Sequence, residues 1–243
     1  MQKFLANLKL NNRSSQPRYY LLATAICALG ITYPILGLGN IGLLIWTSIF
    51  WLVLLTAVRA TCYPKLVKRT LMILGIIIVA IGIAGVFCYY YTGNTHVWVF
   101  PMVNSITCAF LIFLTGSVLY GILISPKIST SHLVGASTSY ILIGVTYAYG
   151  YIVLHSITGQ SLLKKEFITP EIKNSELASQ VADYGYFSFS TLTTLGFGDL
   201  TPLTLASRVL ASSEAITGQL FLTVLIARLV SLHVTNSKQS SNN

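Results

Sequence analysis

Between Arg69 and Lys127 the chain contains no Asp, Glu, Lys or Arg, and it contains none again between Lys127 and Lys164. A water-soluble domain carries roughly 25% charged residues; here 9% are charged and 54% are hydrophobic, too few charges to keep such stretches in water. Uncharged runs of about 20 apolar residues read as membrane spans, because a helix satisfies its own backbone groups where no water is present. The sequence therefore predicts an all-α polytopic membrane protein.

Six spans are expected, at about 19–38, 41–58, 71–91, 99–125, 132–157 and 205–234. A basic loop from Arg59 to Arg69 separates the second and third, and a polar stretch from Thr158 to Asp183 follows the fifth. Next comes an apolar, aromatic segment, Tyr184 to Thr194, and a glycine-rich loop. At about eleven residues this segment is too short to cross a bilayer but long enough for a re-entrant helix. The expected divisions are a cytoplasmic N-terminal segment (1–18), a four-helix membrane domain (19–126), a C-terminal membrane domain (127–234) and a short cytoplasmic tail (235–243). The first apolar run follows basic residues as a signal peptide would, but its length and the spans after it mark it as a retained helix.

The net charge is +9, yet the basic residues sit in short connections with no basic or aromatic stripe, so no nucleic-acid partner is expected. Lys3, Lys9, Arg13 and Arg18 before the first span, and Arg59, Lys65, Lys68 and Arg69 after the second, place both termini in the cytoplasm of a multi-pass plasma-membrane protein. The net positive charge faces anionic lipid of the bilayer. All six acidic residues lie after residue 165. Those of the loop either form a negative vestibule or simply solvate an external segment that also carries Lys164, Lys165 and Lys173. Cys27, Cys62, Cys88 and Cys108 show no metal-binding or disulfide spacing and read as packing residues. With no ligand cluster, nucleophile triad or phosphate loop, neither an enzyme nor a cofactor is expected.

The chemistry lies in Thr191-Leu-Thr-Thr-Leu-Gly-Phe-Gly-Asp199. Non-helical backbone at membrane depth survives only where it is buried in protein or lines a water-filled path, and glycine permits the angles that turn successive carbonyls one way. This run resembles the potassium-channel signature sequence, whose carbonyls replace the ion's hydration shell. The resemblance implies K+ as permeant ion, bound by the backbone carbonyls of Thr194, Leu195, Gly196 and Phe197, with the Thr194 hydroxyl as the innermost ligand. Gly196 and Gly198 would supply left-handed geometry. Leu195 replaces the commoner valine, and Phe197 replaces a tyrosine, which removes one hydroxyl that could brace the filter. Potassium-selective relatives with phenylalanine at this position are familiar.

The same resemblance places Asp199, Tyr186, Phe187 and Ser190 around the filter as its support. Asp199 would anchor the outer end, its alternative being a solvated carboxylate. Tyr186 and Phe187 would form an aromatic cuff, their alternative being interface aromatics. Gly218, twenty residues beyond Gly198, stands where relatives place a gating hinge, though a small residue also allows close helix packing. Thr223, Leu225 and Ile226 below it are candidates to line a cavity. Glu214 is an ionisable residue inside a span and so a functional candidate; it could brace the re-entrant helix of its own or a neighbouring subunit, with Arg208 as a partner.

One loop per chain supplies one wall of a pore, so the resemblance implies a homotetramer with closed cyclic symmetry. Six spans with one pore loop resemble the voltage-gated cation channel layout. The expected fourth span, however, lacks every arginine of a voltage sensor, although each charge moved is worth only about 2.3 kcal/mol per 100 mV. With nine residues after the last span, no terminal gating domain is expected either. Regulation then falls to the membrane spans, pH, lipid or a separate protein partner. Two other readings remain at this level: a weakly selective cation channel and a potassium transporter subunit.

Overall fold

The computed structural model describes residues 45, 47–52, 58, 69, 72–78, 80–82, 84, 99–124, 130–160, 162–165 and 176–241. The expected first span and the N-terminal segment lie outside the described residues. Of the expected second and third spans, residues 45, 47–52, 58, 72–78, 80–82 and 84 are described and are helical.

Four complete helices and a two-stranded ribbon follow: α1 (Val99–Ile124), α2 (Thr130–Thr158), β1 (Leu163–Lys165), α3 (Glu176–Leu192), β2 (Leu200–Pro202) and α4 (Leu205–Ser241). Three stretches are long and apolar enough to cross a membrane: Pro101–Tyr120 in α1, Val134–Thr158 in α2 and Leu205–Arg228 in α4. Pro101 falls in the first turn of α1, where a missing backbone N–H breaks no helical bond. Buried hydroxyls along these helices return to their own carbonyls, as Thr107 does to Val103 O and Thr138 to Val134 O. Polar side chains are thus satisfied within an apolar helix.

α1 packs along α2, and α3 lies against both α2 and α4. One core cluster joins Phe110, Leu111, Leu114 and Val118 of α1 to Leu142 of α2 and to Phe50, Trp51 and Ile78 of the preceding helical residues. Phe50 stacks on Tyr149 of α2, with ring centroids 5.2 Å apart. A second cluster, formed by Tyr151, Ile152, Leu162, Leu163, Tyr184 and Phe187, fills the space between α2, α3 and the ribbon.

Three sequence expectations change. The short helix begins at Glu176 instead of Tyr184 and ends at Leu192 instead of Thr194. Its first turns are polar, and apolarity alone trims them away. Within the polar stretch, β1 pairs antiparallel with β2, setting Leu163 opposite Pro202 and Lys165 opposite Leu200. The bond from Leu203 N to Leu162 O, at 2.8 Å, extends this ribbon. α4 continues to Ser241, past the expected span end at Val234.

Candidate functional site

The glycine-rich loop is built from the end of α3 outward. Leu192 closes the helix, and Thr193 N returns to Phe189 O at 3.1 Å. Thr194 N then reaches Thr191 O at 2.9 Å, while Leu195 N and Gly196 N both return to Ser190 O, at 2.8 and 3.3 Å. The Ser190 carbonyl therefore braces the loop, while its side chain is buried. These N–H groups thus turn back toward α3.

Backbone angles alternate along the loop. Thr194 has φ 57°, Gly196 φ 54° and Gly198 φ 82°, whereas Leu195 and Phe197 keep negative φ. Alternation of left-handed residues with residues of negative φ allows successive peptide groups to be turned to one side. Thr194 is the sole non-glycine with positive φ among the described residues, a conformation costly for a β-branched side chain. A site able to hold that strain is consistent with a functional loop. Leu195 and Phe197 are 59% and 66% exposed, so the loop lies on the rim of the single chain.

The flanking candidates divide. The Tyr186 ring stacks on Phe197, with centroids 6.4 Å apart and planes 2° from parallel. Desolvation, and then a hydrogen bond and the charge of neighbouring Asp199, hold the Tyr186 hydroxyl above its usual value. Asp199, Tyr186 and Phe197 therefore meet at one corner of the loop. Phe187 is buried and packs edge-on against Tyr151, ring centroids 5.2 Å apart. Thr223 donates to Gln219 O at 2.8 Å on the exposed side of α4.

Gly218 is buried against the end of α3. A Cβ placed on it would lie 2.6 Å from Leu192 O and 2.9 Å from Leu192 Cδ1. The structure thus gives this glycine a close-packing role, whatever bending it also allows. Tyr140 of α2 donates to the same Leu192 O at 3.0 Å. Beside Gly218, Gln219 Nε2 reaches Thr194 Oγ1 at 3.5 Å.

Glu214 is fully buried. Tyr151 of α2 donates to its Oε2 at 2.9 Å, and Ser188 Oγ of α3 stands 2.5 Å from Oε1. Arg208, expected as its partner, donates instead through Nε to Pro202 O at 3.3 Å. It sits nearly two turns earlier on an exposed stretch of α4, too far along the helix to share Glu214's pocket.

Tyr140, Tyr147, Tyr151, Ser188 and Gln219 had no place in the sequence reading. A signal existed for the tyrosines: positions 140, 147 and 151 share one helical face, and a tyrosine in an apolar helix needs a partner for its hydroxyl. All three find one: Tyr140 on Leu192 O, Tyr151 on Glu214 and Tyr147 on Thr217 Oγ1 at 3.0 Å.

Residues 145–234, from the middle of α2 through the loop into α4, match the family model described as an ion channel. No curated protein and no solved structure matches the chain. The match supports an ion channel, and the three spanning-length helices support a multi-pass membrane protein.

Proposed function

We propose that the chain is one subunit of a homotetrameric, potassium-selective channel, with Thr194–Gly198 as its ion filter and K+ as the permeant ion. The observation that carries this reading is the alternation of left-handed φ at Thr194, Gly196 and Gly198. In a loop that follows α3, a helix outside those long and apolar enough to cross a membrane, such alternation allows successive backbone carbonyls to turn toward one side. Carbonyl rings of this kind substitute for the hydration shell of a dehydrated cation.

Each chain contributes one wall, and closed rotational symmetry completes the ring. Exposure of Leu195 and Phe197 on the rim agrees with a surface that faces further copies. The α2–α3–α4 unit forms the pore domain, and α1 with the helical residues before it forms part of a membrane domain that carries no sensor arginines. Both termini are assigned to the cytoplasmic side of the plasma membrane from the basic segments at 3–18 and 59–69.

The deciding experiment is planar-bilayer recording of the purified protein, with K+ on one side and Na+ on the other. The expected reversal potential lies close to the K+ equilibrium potential. A value near zero means a weakly selective cation channel and rejects the potassium filter. Gly196→Ala, which forces a Cβ onto a residue at φ 54°, is expected to abolish K+ flux.

A further inference from the structure

The Glu214 carboxyl group lies among three helices with no exposure to solvent. Its neighbours are Tyr151 Oη on Oε2, at 2.9 Å, and Ser188 Oγ on Oε1, at 2.5 Å. Ser188 Oγ also stands 2.7 Å from Gly144 O, a backbone carbonyl of α2. A serine hydroxyl has one proton to give, and a carbonyl oxygen has none.

If Glu214 were ionised, Ser188 could donate to the carboxylate or to Gly144 O, but not to both. The oxygen left out would face Ser188 lone pairs at contact distance with no proton between them. One additional proton removes the conflict. With it on Oε1, Glu214 donates to Ser188 Oγ, Ser188 donates to Gly144 O, and Tyr151 donates to Oε2. Every polar atom is then paired, and no charge stands alone in the apolar interior, where an uncompensated carboxylate is strongly unfavourable. Arg208, the cation nearest in sequence, is engaged at Pro202 O.

We propose that Glu214 is held as a neutral carboxylic acid and acts as a positioning residue, donating its proton to Ser188 so that α3 is fastened between α2 and α4. The relay Glu214–Ser188–Gly144 crosses from α4 through α3 to α2 with one hydrogen bond at each step. Ser188 lies one turn before Leu192, so the relay sets the depth and rotation of the helix that carries the loop. Sliding of α4 past α3 breaks the Glu214–Ser188 link. The effect on ion flow rests on the channel reading above; the protonation state does not.

Two measurements on the purified, lipid-reconstituted chain test this. Infrared spectroscopy at neutral pH is expected to show a protonated-carboxyl C=O stretch that Glu214→Gln removes. Glutamine keeps an N–H donor for Ser188 and a carbonyl acceptor for Tyr151. Its K+ flux and K+/Na+ permeability ratio are therefore expected within about twofold of the parent, whereas Glu214→Leu, which keeps neither, loses about tenfold or more. Absence of the band in the parent chain, or an equal loss in Glu214→Gln and Glu214→Leu, overturns the proposal. The band does not depend on conduction, so a parent chain without K+-selective flux would count against the channel reading alone.

Discussion

Leu192 is a point of close packing beside the loop. Carbonyls at a helix C-terminus have no partner within the helix, and Leu192 O takes the Tyr140 hydroxyl instead, with Gly218 pressed beside it. Gly218→Ala separates the two roles available to this glycine. As a hinge alone it would gain stability, since alanine is favoured over glycine in helices by about 1 kcal/mol. Packed 2.6 Å from a carbonyl oxygen, the new methyl is expected instead to lower stability by about 1–3 kcal/mol, measured as a fall in the unfolding temperature in detergent. Tyr140→Phe keeps the ring and removes one hydrogen bond, so a loss of about 0.5–1.5 kcal/mol is expected in the same assay. An unchanged melting temperature would show that Leu192 O finds water instead.

At the scale of elements, α4 starts on a reciprocal cap. Thr204 Oγ1 accepts from Ser207 N at 3.1 Å, and Ser207 Oγ accepts from Thr204 N at 3.0 Å. This is the capping-box arrangement with serine as the returning side chain. Thr204→Ala is expected to lower stability by about 1 kcal/mol, with amide exchange quickening in the first turn of α4 before the rest of the helix. The spans α1, α2 and α4 were legible because apolarity over a long stretch needs no knowledge of neighbours. The start of α3 was not, because its polar first turns are made helical by packing of Val181 and Ala182 on the core rather than by their own apolarity. The ribbon was not legible either: three-residue strands are too short to show a period of two. The loop itself was recognisable from local spacing. The partnership of Tyr151 with Glu214, 63 residues apart, depends on how α2 meets α4, and only a tertiary arrangement supplies that.

For the molecule as a whole, α4 is the least covered of the three spanning stretches among the described residues. About 11% of its apolar stretch is buried within the chain, against 39% for α1 and 33% for α2. Val209, Ile216, Leu220 and Val224, each more than half exposed, fall on one side of it. In the tetrameric reading this side meets neighbouring copies. Chemical cross-linking of the purified protein is then expected to give a ladder that stops at four chains, and a ladder stopping at two would reject fourfold assembly. The ribbon adds a consequence in time. β1 follows α2 directly, but its pairing partner β2 comes just before α4, with α3 and the loop between them. As the chain is synthesised from its N-terminus, β1 waits unpaired until Thr201 and Pro202 have been added. The ribbon beside the glycine-rich loop is therefore completed only as α4 is about to be made, and a nascent chain stopped short of Leu200 holds α3 without it.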